Sequence, residues 1–164
     1  MDVLETNRLI FRVFAMSDAE FFFKLNINPD GIKYTDGVSS DGVEQTRSFI
    51  RGDSGFERLG MGRLLVQVKG TNLKIGCCGL KCNGMEGCVD LGFRFLIAEW
   101  NKGSATEARL AYIDLLKKKG IKTMEGRAMK EHKSSIQVHT KLGFIHWKEI
   151  ENGLEGGMQS TLIL

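Results

Sequence analysis

Apolar and polar residues alternate along residues 6–13, with Leu9, Phe11 and Val13 set against Arg8, Ile10 and Arg12, which predicts a first strand. Ser17-Asp18-Ala19-Glu20 has the form of a capping box, a hydroxyl at the N-cap and a carboxylate three residues on. It predicts a short helix whose apolar load is Phe21, Phe22, Phe23 and Leu25. Asn28-Pro29-Asp30-Gly31 ends that helix, because proline disfavours helix in the residue before it. Residues 31–40, rich in Gly, Ser and Asp, read as loop, and Asp41-Gly42-Val43-Glu44 opens a second helix to about residue 51. Three strand-like runs follow at 64–69, 74–80 and 89–97, divided by the hairpin turns Gly70-Thr71-Asn72 and Asn83-Gly84.

A polar loop at 100–104 leads into helical spacing over 106–119, where Ala108, Ala111, Tyr112, Leu115 and Leu116 share one stripe. Lys117-Lys118-Lys119-Gly120 closes it, with cations at the negative end of the dipole and glycine beyond. The lysine run reads as a solvated helix end. A strand at 121–129, a helix at 133–142 stopped by Gly143, and two strands at 144–150 and 158–164 around a glycine-rich hairpin complete the chain. The order is β-α-α-β-β-β-α-β-α-β-β, which predicts a mixed α/β (α+β) fold. No repeat, linker or break in composition divides residues 1–164, so a single domain is expected.

Composition narrows the function classes. Of the 164 residues, 23 are basic and 20 acidic, and the resulting charge of +3 lacks the concentrated basic face that a nucleic-acid partner requires. Mild basicity suits a small polyanion. The start Met1-Asp2-Val3-Leu4-Glu5 is acidic where a signal peptide is basic, and no apolar run approaches the roughly 20 residues of a membrane helix. A cytoplasmic protein with no membrane partner is the expectation. Cys77, Cys78, Cys82 and Cys88 crowd together, but no C-x-x-C pair is present, and Cys77 and Cys78 leave a strand on opposite faces. They read as reduced structural thiols, with no metal site.

The segment from Leu91 to Ala108 carries the chemistry. It is a strand, a tight polar loop and a helix start, and the first turn of a helix offers unpaired amides and the positive end of the dipole. Gly103 and Ala105 let an anion approach that backbone, and Thr106 adds a hydroxyl, so the junction reads as a pyrophosphate site. Other phosphate motifs fail on detail. Lys102-Gly103-Ser104 reverses the order of a Walker loop, and Gly60-Met61-Gly62 lacks the third glycine of a dinucleotide loop.

Trp100-Asn101-Lys102-Gly103-Ser104-Ala105-Thr106-Glu107-Ala108 resembles the pyrophosphate loop of the GNAT acetyltransferase superfamily, in particular the branch of ribosomal-protein alanine N-terminal acetyltransferases. Glu5-Thr6-Asn7-Arg8-Leu9 with Phe11-Arg12, Ser17-Asp18-Ala19, Ile75-Gly76 with Gly79-Leu80, Ser135-Ile136 and Lys141-Leu142-Gly143-Phe144 extend the resemblance in order across nearly the whole chain. It implies a mixed, mostly antiparallel, V-shaped sheet flanked by about four helices. It also implies acetyl-CoA as co-substrate, with pantetheine along Phe95, Leu96 and Ile97 and the pyrophosphate on the amides of Asn101, Lys102, Gly103, Ser104, Ala105 and Thr106.

Within that resemblance Asp90 stands where many relatives place a glutamate base, and the shorter side chain implies a water relay. The plainer alternative is a hydrophilic residue at a strand start. An amide near Leu96 serves the oxyanion. Ser135 matches a serine near the CoA sulfur, and His139 falls where other members carry a tyrosine that protonates the thiolate; the alternative is a buried helix histidine. His132 replaces the usual asparagine that touches CoA, and Asn101 replaces a usual glycine. His132 and His139 lie about 10 Å apart along a helix, too far to share an ion. The expected activity is N-acetyl transfer to a primary amine, a protein N-terminus or a small molecule, by a monomer or homodimer. A non-catalytic acyl-CoA sensor or interaction module is the alternative.

Overall fold

The alternating run at the start of the chain folds as the second of two strands. In the computed structural model, which describes residues 2–32, 42–52, 61–82, 89–150 and 157–164, β1 (Asp2–Glu5) and β2 (Leu9–Arg12) form an antiparallel hairpin. Thr6 makes the corner, its Oγ1 accepting the Leu9 amide at 2.8 Å. The expected hairpin at residues 83–84, Cys88 and the glycine-rich turn near residue 153 lie outside the described residues.

Helix α1 (Ala19–Ile27) follows a 3-10 turn at Met16–Asp18. Its entry is organised by Asp18 rather than by the hydroxyl of Ser17. The fully buried Asp18 carboxylate accepts the Ala15 amide at 2.7 Å and lies 2.7 Å from both Arg12 Nη1 and Lys74 Nζ. Burial alone would raise the Asp18 pKa, but these partners hold it well below the usual carboxylate range. Asn28 is extended and Pro29 opens α2 (Pro29–Ile32), where its fixed φ and missing N–H cost nothing. Helix α3 (Val43–Gly52) comes next.

β3 (Arg63–Val68), β4 (Lys74–Cys82) and β5 (Val89–Phe95) continue the antiparallel sheet. Then come α4 (Ser104–Lys118), β6 (Thr123–Met129), α5 (Lys133–Lys141), β7 (Ile145–Ile150) and β8 (Gly157–Ile163). Among the described residues eight strands form one sheet in the order β1-β2-β3-β4-β5-β6-β8-β7. Every neighbouring pair is antiparallel except β5 and β6. That parallel pair is in register at Asp90 against Glu125 alone among the described residues. Beyond it the ladder stops and the sheet divides.

Helices cover both faces. Ala108, Tyr112, Ile113 and Leu116 of α4 pack against Leu9, Phe11, Leu64, Val66, Cys78, Leu91 and Phe95. Full burial of such apolar side chains contributes about 1.5–3 kcal/mol each. On the other face Cys77 packs with Phe22 and Leu25 of α1. The two adjacent thiols therefore leave β4 in opposite directions, as their period of two requires. Burial raises both, Cys78 to about 12, which keeps them protonated. No helix among the described residues is long and apolar enough to cross a membrane.

Candidate functional site

The end of β5 runs on past its registered contact with β6. Phe95 stands opposite Gly76, and the Leu96 amide donates to the Ile75 carbonyl at 2.9 Å. Successive residues of an antiparallel strand direct their polar groups to opposite sides. The Leu96 bond thus turns the Phe95 N–H and carbonyl away from β4, toward the side where β6 diverges. The Phe95 carbonyl accepts Trp100 Nε1 at 3.1 Å. The backbone donor that this edge turns away from β4 is accordingly the Phe95 amide, since that of Leu96 is already engaged. Gly76 is required here, because a Cβ would lie 2.3 Å from the Arg94 carbonyl oxygen.

Past a 3-10 turn at Ile97–Glu99, two left-handed residues bring the chain round into α4: Asn101 at φ 62° and Gly103 at φ 80°. Glycine is the default in that region and asparagine tolerates it better than most residues, which accounts for Asn101 at a position where the resembling loops carry glycine. The Glu107 amide donates to the Gly103 carbonyl at 3.0 Å, so the amides of Ser104, Ala105 and Thr106 make up the first turn and have no carbonyl one turn back. Arg8 braces this loop, with Nη1 3.2 Å from the Lys102 carbonyl. Lys102 Nζ lies 3.0 Å from Glu99 Oε1. Open amides and a helix dipole in one turn fit a dianionic diphosphate, with Lys102 and Arg8 beside it each paired to a carboxylate, Glu99 and Glu107.

The other wall is α5 with β6. His132 is the N-cap residue of α5, and burial lowers its pKa. Ser135 and His139 are both buried on the inner side of the helix. His139 Nδ1 lies 2.8 Å from the Ser135 carbonyl, which can only accept, so the ring proton is on Nδ1. Nε2 is buried without a partner among the described residues and packs over Gly126 of β6. Burial first, then the charge of Arg109, lowers His139 to about 3. A neutral ring whose one proton is tied to a carbonyl is poorly placed to protonate a leaving group.

Alternation separates the candidate base from this wall. Leu91 and Phe95 face α4, whereas Arg94 reaches Asn26 of α1 on the opposite face, and Asp90 shares the Arg94 side. Asp90 sits where the register of β5 and β6 ends, on the face of the sheet away from α4, whereas Ser135 is buried on α5. Phe95 to Ile97 and residues 101–106 line one continuous edge. Residues 33–41 and 53–60 lie outside the described residues.

Two features escaped the sequence pattern. Tyr112 Oη accepts the Gly62 amide at 3.0 Å and donates to the Gly62 carbonyl at 2.5 Å, which fixes the entrance to β3. Arg109 is fully buried under β5. Its place beside Ala108 and three residues before Tyr112, on the apolar stripe of α4, was the available signal.

Comparison with known proteins identifies the family and the fold. Residues 8–145 match the acetyltransferase (GNAT) domain model. An uncharacterized N-acetyltransferase of Bacillus licheniformis is 28% identical over 147 residues, 88% of this chain and 83% of that protein. A GNAT-family acetyltransferase from Bacillus anthracis superposes with a TM-score of 0.80 at 22% identity, over 99% of this chain and 98% of that one. A RimL ribosomal alpha-N-protein acetyltransferase, solved with coenzyme A, gives 0.83 at 14% identity over 100% and 98%. At these identities the structural likenesses establish the fold, and the domain match establishes the family. Among the described residues no cluster of three or more His, Cys, Asp or Glu residues is arranged to hold a metal.

Proposed function

The chain belongs to the GNAT acetyltransferase family, and from that premise we propose that it binds acetyl-CoA and transfers the acetyl group to a primary amine by direct attack on the thioester. One observation carries the assignment of the site. The loop with left-handed Asn101 and Gly103 delivers the open first turn of α4 to the end of β5, where β5 and β6 are no longer in register.

In this reading the amides of residues 101–106 hold the pyrophosphate, and the pantetheine arm lies along the edge of Phe95, Leu96 and Ile97. His132 and Ser135 of α5 close over it from the other wall. The amine enters from the α1 face and loses its proton to Asp90 through intervening water, a contribution of about 10²–10⁴-fold. The Phe95 amide meets the oxygen that becomes negative. Such a donor is fixed before reaction and typically supplies about 10²–10³-fold. Ser135 stands nearest the sulfur. His139 shapes the wall as a neutral ring packed on Gly126 and is assigned no proton transfer.

The acceptor is a protein N-terminus or a small amine. The likeness to a RimL ribosomal alpha-N-protein acetyltransferase supports the first.

Calorimetric titration of acetyl-CoA, followed by thiol release against peptides of varied first residue and a series of small amines, tests the reading. Gly103→Glu places a carboxylate beside the proposed pyrophosphate and is expected to abolish binding while the protein remains folded by circular dichroism. Retained affinity in that variant would show that the loop is misassigned. Tight binding with no turnover on any acceptor would favour an acyl-CoA sensor.

A further inference from the structure

Arg109 is the largest fully buried side chain among the described residues. Its Cζ lies 4.5 Å from the ring centroid of Phe93 on β5 and 5.6 Å from that of Phe144. Phe144 in turn packs edge-on to His139 at 4.9 Å, over Gly126 of β6. The guanidinium therefore touches both walls of the gap between β5 and β6, on the face that carries α4 and α5.

Nε, Nη1 and Nη2 are all buried, and none has a hydrogen-bond partner among the described residues. The titratable groups that act on it are Cys78 from β4, Asp90 from β5 and His139 from α5, with His132 acting on the same histidine. Burial lowers Arg109 to about 10, which leaves it a cation at neutral pH. Cys78 and His139 are held neutral there. Asp90 is the one carboxylate of the set, and no hydrogen bond joins it to the guanidinium. Buried charges are ordinarily paired, so a cation with none of its donors engaged at the centre of a fold calls for an anion that arrives in the course of function.

We propose that this anion is the thiolate of coenzyme A, and that Arg109 holds the departing sulfur in its charged form at the foot of the gap. The inference rests on the acetyl-transfer reading above. Arg109 lies five residues into α4, about 7 Å along the axis from the turn assigned to the pyrophosphate, and its side chain is directed under β5 toward the gap. A diphosphate already has its donors in the loop. The sulfur, at the far end of the pantetheine arm, has the Ser135 hydroxyl beside it but no cation. Its expected acid is also absent, because His139 keeps its proton on Nδ1.

The step balances without an acid. The amine nitrogen bonds to the thioester carbon, and the C–S bond breaks with its electron pair remaining on sulfur. The proton of the former amine passes to Asp90 through water. The thiolate stays paired with Arg109 and takes a proton from solvent on release.

The thiolate absorbs in the ultraviolet, so the ionisation of bound coenzyme A can be followed against pH while calorimetry follows its affinity. In the wild-type protein the bound thiol is expected to ionise about two pH units below that of free coenzyme A. Arg109→Met should remove this shift, leave affinity within about threefold and lower kcat about 10- to 100-fold. It should fold, since replacing an unpaired buried ion with an apolar side chain of similar volume is commonly neutral or stabilising. Arg109→Lys should restore part of the shift, and it covers the case in which the methionine variant is unstable.

An unshifted thiol in wild-type protein that binds coenzyme A, or an equal shift in Arg109→Met, would overturn the proposal and leave the acetyl-transfer reading intact. A preference for succinyl-CoA over acetyl-CoA that disappears in Arg109→Met would also overturn it, because the cation would then serve a carboxylate on the acyl chain. Failure of the wild-type protein to bind coenzyme A would remove the acetyl-transfer reading, and this inference with it.

Discussion

The guanidinium of Arg8 closes on the carboxylate of Glu107, with Nε and Nη2 each 2.6 Å from Oε2. Thr6 Oγ1 donates to the second oxygen, also at 2.6 Å. Burial would raise the Glu107 pKa, but the bonds from Thr6 and Arg8 lower it overall. Through this pair the corner between β1 and β2 is fastened to the first turn of α4, and through Arg8 Nη1 to the Lys102 carbonyl. Arg8 is half exposed, so the pair adds at most about 1 kcal/mol to stability. Its effect should fall on the loop. Arg8→Gln is expected to weaken acetyl-CoA binding about 3- to 10-fold with little change in melting temperature, and less so at high salt, where exposed charges are screened. Calorimetric titration at two salt concentrations checks this. Equal affinity in the variant would mean the loop holds its shape unaided.

The wall opposite β5 depends on Gly126. A Cβ there would lie 2.3 Å from His139 Cδ2, 2.5 Å from its Nε2 and 2.9 Å from Phe144 Cε1. Neither ring can withdraw as the tip of a flexible chain would, so Gly126→Ala should destabilise by about 1–3 kcal/mol through overpacking. His139→Ala in the same chain opens the space and should recover part of the loss, a coupling that a double-mutant cycle in urea measures. Strictly additive losses would show that the two residues do not press on each other.

These two sites also show what a linear pattern can and cannot convey. The loop from Trp100 to Ala108 was legible because its signal is local: a glycine, small residues and a helix start suffice to expose amides. The opposite directions of Cys77 and Cys78 followed from strand periodicity alone. The entry to α1 did not, because Asp18 is buried by Arg12 of β2 and Lys74 of β4, and the latter arrives from far along the chain. Ser17 had the better local motif and lost to that tertiary contact. The orientation of His139 is likewise set by Gly126, on a neighbouring strand. The Leu96 amide is occupied only because β4 runs alongside, and the burial of Arg109 involves Phe93 and Phe144, which come from separate parts of the chain.

Buried and neutral, His139 makes stability sensitive to mild acid. Its ordinary pKa of 6.5 is lowered to about 3 in the folded protein, chiefly by burial, then by Arg109, against a smaller opposing pull from the Ser135 carbonyl. Between those two values the unfolded chain binds a proton that the native chain does not, so this group contributes a loss of stability as pH falls from 6.5 toward 3. Asp18 acts in the same direction only at lower pH, where its carboxylate begins to protonate in the unfolded chain. His139→Phe keeps a ring in the space and removes the titration. Its urea midpoint should therefore change less than that of the wild type between pH 6.5 and pH 4.5. Identical slopes for the two proteins would show that the imidazolium is accommodated without cost.

Asp90 stands at the last registered position of the β5/β6 pair, opposite Glu125, and on the face of the sheet away from α4. If it takes the amine proton through water, its charge matters to the chemical step and its length only to the relay. Asp90→Asn should then lower kcat about 10²-fold. Acetyl-CoA affinity should change by less than about twofold, since the binding loop lies beyond Phe95, five residues of strand or about 17 Å away. The smaller Asp90→Ala leaves room beside the gap, so added formate should recover part of its rate in proportion to concentration. Formate has no reason to help a residue that only begins a strand. Turnover by Asp90→Asn at the wild-type rate, or an alanine variant indifferent to formate, would return Asp90 to that plainer role and leave deprotonation to solvent.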